Sequence, residues 1–310
     1  MSMLTKPILV VGSLNMDLVV TVAELPQKGE TIFGKTFTTF PGGKGGNQAV
    51  TAAKLGSKVT MVGAVGRDEF GERLRCSLSQ SGVGTSYISL AETSTGTALI
   101  TVDQRGANSI VVVPGANYAC CQQDIDSALE AAEVPGILLV QNEIPETIVE
   151  YTIRTAKGKG WTTILNPAPA RLISEGLLSM IDILIPNETE ASVLTGGEAG
   201  AEDEAAQVLL DRGAAAVIIT LGSKGALCCT VEQKQQILPY KVDAVDTTAA
   251  GDAYVGALAT ALAEGKTVLE SAKFAAAVAA IAVTRPGAQP SLPWRDEVDE
   301  FIRKQEEGQQ

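Results

Sequence analysis

The chain has 310 residues, of which 45% are hydrophobic, with a net charge of −12: enough for one large domain, or one domain with an appendage. Its acidity and the lack of any Lys/Arg cluster argue against a nucleic-acid binder, and no apolar run reaches the length of a membrane span. Histidine is absent, which removes Ser-His-Asp and Cys-His nucleophiles and every His-ligated metal site; acid–base chemistry falls to carboxylates, Lys, Tyr or Cys.

The chain reaches a β-type run, Ile8 to Gly12, within seven residues, so no signal peptide is expected. Cys76, Cys120, Cys121, Cys228 and Cys229 form neither a disulfide framework nor a zinc pattern, and a reducing, cytoplasmic setting fits them. Beyond Gly42, strands are predicted at 58–62, 137–141, 162–165, 182–185 and 216–221. Helices are predicted between them at 46–55, 69–79, 146–157 and 201–212, then at 253–264, 268–284 and from Trp294. Alternation of apolar strands with helices predicts an α/β fold with a mostly parallel sheet covered on both faces. Two segments break this rhythm. Met16 to Phe40 and Thr95 to Val113 alternate polar and apolar residues, the second around the turn-prone Asp103-Gln104-Arg105-Gly106. Period-two patterning predicts half-buried strands, and four of them can form one small sheet, either a lid or an edge element without a role. The predicted division is a discontinuous core, 1–13, 41–94 and 114–310, with a small β lid, 14–40 and 95–113. Gln305 to Gln310 reads as a frayed tail.

Five places can carry chemistry. Gly12-Ser13-Leu14-Asn15-Met16-Asp17 ends the first strand; it is either a capped turn or a site where Asn15 and Asp17 bind vicinal hydroxyls. Pro41-Gly42-Gly43-Lys44-Gly45-Gly46-Asn47 fails the P-loop spacing and is either a flexible turn or a close-approach loop aiming Lys44 and Asn47 into one cleft. Asn187-Glu188-Thr189-Glu190 is either a helix cap or part of a Mg²⁺–phosphate water shell. Thr220-Leu221-Gly222-Ser223-Lys224-Gly225 is either a hairpin-type turn or a nucleotide-binding one. Asp246-Thr247-Thr248-Ala249-Ala250-Gly251-Asp252 opens into a small-residue helix. Its unpaired amides can hold an anion, and a carboxylate among them suits phosphoryl transfer, where a base serves the attacking oxygen.

Taken in order, the Gly-Gly-Lys-Gly-x-Asn-Gln-Ala-Val run, Asn187-x-x-Glu190 and Asp246-Thr-x-Ala-Ala-Gly-Asp252 resemble the ribokinase-like (PfkB) family of carbohydrate kinases over essentially the whole chain. Asn166-Pro167-Ala168-Pro169-Ala170 and Ala282-Val283-Thr284-Arg285 leading to Gly287-Ala288-Gln289-Pro290-Ser291 support it. The resemblance implies a three-layer αβα sandwich with a β lid. It implies an ATP-dependent kinase acting on the 5-hydroxyl of D-ribose, with deoxyribose, another sugar or a nucleoside as alternative acceptors and a non-catalytic sugar sensor as the rival class. By that resemblance Asp252 is the base, and the amides of Ala249, Ala250, Gly251 and Asp252 form the anion hole. Asn15, Asp17, Gly43, Lys44, Asn47 and Glu143 bind the sugar. Asn187, Thr220, Gly222, Ser223, Gly225 and Gly251 line the nucleotide site, with Glu190 serving Mg²⁺ through water. Asp246, Thr248, Ala282, Arg285, Gly287 and Ser291 hold a K⁺, mostly through backbone carbonyls, and the molecule is a homodimer through its lid. The chain departs from the family pattern at Gly46, where Ala is usual, at Ala249-Ala250 and at Pro286, which removes an N–H but leaves the Arg285 carbonyl.

Overall fold

The computed structural model describes residues 5–198 and 200–307. In chain order the elements begin with β1 (Ile8–Val11), β2 (Asn15–Thr21), β3 (Thr36–Gly42), α1 (Lys44–Lys54), β4 (Val59–Gly66), α2 (Glu69–Gln80), β5 (Gly84–Ala91), β6 (Gly96–Val102) and β7 (Asn108–Val113). There follow α3 (Gln122–Glu130), β8 (Ile137–Gln141), α4 (Glu146–Gly158), β9 (Thr162–Asn166), α5 (Glu175–Leu178), β10 (Ile183–Leu184), α6 (Glu188–Thr195), α7 (Glu202–Asp211) and β11 (Ala216–Thr220). The chain closes with β12 (Ala226–Thr230), β13 (Lys234–Ile237), α8 (Ala250–Ala263), α9 (Val268–Ala282) and α10 (Arg295–Glu307).

The large sheet has the order β13-β12-β11-β10-β9-β8-β1-β4-β5, parallel from β5 to β11 and antiparallel at β12 and β13. Strand alternation divides its apolar residues between two cores. Ile8 and Val10 of β1 face the layer of α1, α2, α8, α9 and α10, whereas Leu9 and Val11 face the layer of α3 to α7. Ile137/Leu139 against Leu138/Val140 in β8 divide the same way. This is the expected three-layer αβα sandwich with both sheet faces covered. No helix among the described residues is long and apolar enough to cross a membrane.

The two alternating segments form the second sheet, of order β3-β2-β6-β7. β2 is antiparallel to β3 and parallel to β6, and β6 and β7 form a hairpin. Asp103 closes that hairpin by accepting the N–H groups of Arg105 (2.8 Å) and Ala107 (2.9 Å), the side-chain turn chemistry that Asp favours. β2 leaves the core three residues after β1 and β3 re-enters it at Gly42, so the small sheet lies over the carboxyl edge of the large one as a lid.

Boundaries differ from the predicted ones where side chains intervene. α8 starts at Ala250, not Ala253, because Ala249 adopts a left-handed φ of 59° and acts as the N-cap. Asp252 therefore lies in the first helical turn. α9 stops at Ala282 because the N–H groups of Thr284 and Arg285 turn to carbonyls three residues back, ahead of Pro286. The predicted strand 182–185 keeps two residues, since the Asp182 carboxylate is engaged by Lys157 and Thr163. Residues 305–307 of the predicted tail belong to α10, and 308–310 lie outside the described residues.

One carboxylate spans core and lid with three bonds. Asp68 caps α2 by accepting from the Gly71 N–H (2.9 Å) and also takes the N–H (2.8 Å) and hydroxyl (2.6 Å) of Thr95, directly ahead of β6. Replacing Asp68 by Ala removes a cap and leaves the Thr95 N–H and hydroxyl proton without their acceptor, while Thr95 Oγ1 keeps the Gly66 N–H. Unfolding free energy in urea titrations should fall by about 1–2 kcal/mol.

Candidate active site

The carboxyl ends of β1 and β8, the start of α1 and the start of β2 converge under the lid. Asn15 and Asp17, two apart on β2, share the face turned to the core, and both are buried. Gly43 takes φ 83°, and a Cβ there would lie 2.6 Å from the Asn15 nitrogen, so the turn into α1 is open only to glycine. Gly46, the departure from Ala, has a packing reason. A Cβ would come within 3.1 Å of Leu14 and 3.2 Å of the Gln289 amide, tight contacts that offset the lower helix propensity of glycine. Glu143, just beyond β8, accepts from Ser13 Oγ (2.5 Å) and from the Lys44 N–H (3.2 Å). Asp17 accepts no protein donor among the described residues. Burial, then the Glu143 and Asp252 charges, push its carboxyl up to about 7, with Lys44 opposing. Burial works against the charge of Lys44 as well. The carboxylates of Asp252, Glu143, Glu190 and Asp17 outweigh it and hold the ammonium above the ordinary lysine value.

Asp252 is 8% exposed and is the point where α8 meets α1. Its Oδ2 accepts from Asn47 Nδ2 (2.9 Å) and its Oδ1 from Gln48 Nε2 (3.0 Å). Behind them runs a buried amide relay. Asn166 Nδ2 donates to the Ile185 carbonyl (2.9 Å), so its Oδ1 receives Gln48 Nε2 (3.1 Å), and Gln48 Oε1 receives Gln141 Nε2 (2.6 Å). The backbone carbonyl thus dictates that Gln48 presents its NH₂ to Asp252. Asn47 Oδ1 is buried without a partner, an acceptor left for a ligand hydroxyl. The N–H groups of Ala249, Gly251 and Asp252 find no acceptor among the described residues, whereas that of Ala250 donates to the Thr247 carbonyl (3.2 Å). Ala249 is the one non-glycine residue with positive φ among the described residues, and such strain concentrates where backbone groups are aimed at a ligand.

Asn187 and Glu190 form a complete capping box: the Glu190 N–H donates to Asn187 Oδ1 and the Asn187 N–H to Glu190 Oε2, each at 2.8 Å. The cap does not displace the other reading, because Glu190 also faces Lys44 and Asp252. Burial, the largest influence, and the Asp252 charge raise its carboxyl, opposed by the Asn187 N–H and Lys44. Asn187 is bridged to Thr220, the last residue of β11, which sets the Thr220 to Gly225 turn beside α6. That turn joins two antiparallel strands as a hairpin. Gly225 needs its φ of 92°, since a Cβ would lie 2.0 Å from the Ile237 carbonyl, while Gly222 and Ser223 are exposed.

At the other end of the Asp246–Asp252 run, both Asp246 oxygens are engaged, one by the Thr248 N–H and one by the Gly287 N–H, each at 2.8 Å. These bonds hold its carboxyl below the usual range against the larger, opposing influence of burial. Asp246 thereby ties the loop before α8 to the loop after α9. The carbonyls of Thr248, Arg285 and Gly287 accept no donor among the described residues, but that of Ala282 accepts the Arg285 N–H (3.2 Å). The Arg285 side chain turns to Glu297 (2.5 Å), and Ser291 Oγ donates to the Ala288 carbonyl (2.8 Å). No group of three or more Cys, Asp or Glu among the described residues is placed to hold a metal ion. Sequence reasoning left Ser13, Gln48, Asn117, Gln141 and Asn166 without a role. Gln48 and Asn166 stand inside motifs quoted for the resemblance, whereas Gln141 and Asn117 carry no local mark.

A mostly parallel sheet, with free helix-start amides and a held carboxylate at its carboxyl edge and a β lid above, is the architecture of a small-molecule kinase. The family model for pfkB family carbohydrate kinases matches residues 5–295. The chain belongs to the pfkB family of carbohydrate kinases. It is 41% identical over 301 residues to the ribokinase of Haemophilus influenzae, covering 96% of this chain and 98% of that one. It is 37% identical over 300 residues to the deoxyribokinase of Salmonella typhi, covering 95% and 98%. The solved structure of Arabidopsis thaliana ribokinase complexed with ribose and ATP superposes with a TM-score of 0.86 at 37% identity, covering 96% and 99%.

Asp17 generates a pH dependence. Above about pH 7 its carboxylate is ionised and has acceptor capacity for a hydroxyl, the role the resemblance implies; below, it is protonated and that capacity is lost. In a pH profile, kcat/KM for the sugar should therefore fall as pH drops through about 7, approaching tenfold per pH unit. Asp17→Asn should abolish this limb.

Proposed function

We propose that the chain transfers the γ-phosphoryl group of ATP to the 5-hydroxyl of D-ribose. The observation that carries the reading is Asp252, held on both oxygens by Asn47 and Gln48 at the start of α8, among the free amides of Ala249, Gly251 and Asp252. In this reading Asn15, Asp17, Gly43, Lys44, Asn47 and Glu143 bind the sugar under the lid. Each Asp252 oxygen keeps acceptor capacity beyond its one amide bond, so the carboxylate can take the hydroxyl proton as the oxygen attacks in line. The free amides, helped by Lys44, receive the charge spread over the migrating phosphoryl group. General-base help of roughly 10²–10⁴-fold and about 2.7–4 kcal/mol per anion-hole donor are comparable, so both parts are needed. Asn187, Thr220, Gly222, Ser223 and Gly225 line the nucleotide side.

Four carboxyl groups act on one ammonium, Lys44, before any phosphate enters, so the reading has the triphosphate arrive with a divalent cation. Mg²⁺ fits a site where Glu190, capping α6 through Oε2, keeps Oε1 for a metal-bound water, and would supply charge neutralisation of the transferring group when bound. K⁺ fits the free carbonyls of Thr248, Arg285 and Gly287 around Asp246. The engagement of the Ala282 carbonyl by Arg285 makes Ala282 the weakest member of that ligand set. Deoxyribose is the competing acceptor, given a deoxyribokinase at 37% identity; Asn15, an amide aimed at a ring hydroxyl, favours ribose. Five free cysteines fit a reducing, cytoplasmic setting.

The lid also presents an apolar face away from the cleft. Phe37 (64% exposed), Leu99 (48%) and Val111 (57%) lie on it, and all six residues of β7 are exposed. A second copy of the chain, pairing lid to lid, would cover this face. We keep the lid at 14–40 and 95–113, with β3 running on to Gly42 where the chain re-enters the core.

Asp252→Asn should lower kcat at least about a hundredfold while ribose binding by calorimetry stays nearly intact. The readout is sugar-dependent ADP release across a sugar panel, with and without K⁺; near-normal turnover would remove Asp252 as base. The double variant Leu99→Glu/Val111→Glu should halve the mass measured by light scattering, and a wild-type monomer would exclude the lid dimer.

A further inference from the structure

We infer that Asn117 is a positioning residue for sugar selectivity: it dictates which end of the Asn15 amide faces the sugar. The inference rests on the reading of Asn15 as a sugar ligand and extends it to a residue outside the cleft motifs. Asn117 follows β7 in a short 3₁₀ turn, Gly115–Ala119, and is 1% exposed. It lies where three crossings between core and lid meet: the entry to β2 at Leu14, the entry to β6 at Gly96, and the exit from β7.

The polarity of the cluster is anchored in backbone. The Leu14 N–H, a donor that cannot be reversed, points at Asn117 Oδ1 (2.8 Å). Asn117 must then turn its NH₂ to the other side, where it donates to the Leu14 carbonyl (3.2 Å) and to Asn15 Oδ1 (2.7 Å). With its oxygen committed, Asn15 has only its Nδ2 to offer the cleft, and that group donates to no protein acceptor among the described residues. Gly96 makes the pairing possible, since a Cβ there would lie 2.3 Å from both Asn117 Nδ2 and Asn15 Oδ1.

The orientation matters because of Asp17 on the same strand face. An ionised carboxylate only accepts, so a ring hydroxyl bound between the two gives its single proton to Asp17 and needs a donor from Asn15. An Asn15 amide turned the other way would set two lone-pair acceptors against one spent hydroxyl. Under the proposed reading Asn15 addresses the hydroxyl that 2-deoxyribose lacks, and a site built to hydrogen-bond a hydroxyl discriminates against its absence.

The test compares kcat/KM for ribose and 2-deoxyribose at pH 8.5 in wild type, Asn117→Asp, Asn117→Ala, Asn15→Ala and the Asn15→Ala/Asn117→Asp double variant. Asn117→Asp is nearly isosteric and still accepts from Leu14, but it presents an oxygen to Asn15 and reverses it. The ribose to 2-deoxyribose ratio should fall at least about fivefold, mainly through KM for ribose. Asn117→Ala frees Asn15 to rotate and should lower the ratio by a smaller factor. Because Asn117 acts through Asn15, the double variant should show the ratio of Asn15→Ala alone. If Asn15→Ala lowers the ratio while both Asn117 variants keep that of wild type, the inference is overturned and the sugar reading stands. If Asn15→Ala leaves the ratio unchanged, both are overturned.

Discussion

The functional geometry depends on the clasp between α1 and α8, in which Asn47 and Gln48 each hold one oxygen of Asp252. These residues are more than 200 positions apart in sequence. Hydrogen bonds to a buried charged group contribute about 1.5–3 kcal/mol each and, more importantly, remove its freedom to turn away. The clasp joins the two halves of the chemistry. α1 begins in the glycine turn that faces the lid and the sugar residues, and α8 begins in the run whose amides receive an anion. Gln48 is itself oriented by Asn166, Gln141 and, ultimately, the Ile185 carbonyl, so the carboxylate is positioned by the large sheet.

Charge in the cleft is unbalanced, with carboxyl groups outnumbering the one ammonium. Four carboxylates surround Lys44, and burial and mutual repulsion push Asp17 and Glu190 up while the same field stabilises the ammonium. Such a cleft disfavours a naked polyphosphate and favours one arriving with cations, and it keeps acceptors for hydroxyl groups on the lid side. The left-handed Ala249 and the Asp246 tie between the loops before α8 and after α9 together hold the amide cluster open.

Much of the fold was legible because its signals are local. The apolar runs at 137–141 and 216–221 match β8 and β11, and the two alternating segments form the second sheet. The boundaries that moved did so through contacts distant in sequence or through backbone strain. Asp182 was drawn to Lys157 and Thr163, and Ala249 accepted a conformation that its side chain disfavours, lengthening α8 by a turn. In the site, Asn187 and Glu190 read first as a cap and second as ligands. The structure makes the cap complete and keeps Glu190 within the electrostatic reach of Lys44 and Asp252. Gln48 was readable only as a neighbour of Asn47, and Asn117 not at all, because a buried amide has no sequence mark of its own.

By itself, the sequence determined the class of chemistry. With no histidine, the carboxylate in a small-residue helix start was the leading candidate base, and the order of three glycine-rich and acidic motifs named the family. These properties are set by residue types at short spacings, which the chain carries wherever it folds. Tertiary structure alone decided how each polar group is turned. Asn117 orients Asn15, Gln48 orients Asp252, and the Ala250 amide donates to the Thr247 carbonyl while its neighbours stay free. Direction in a hydrogen bond depends on what lies on the far side of each donor and acceptor, and those partners meet only when strands and helices remote in sequence are packed together.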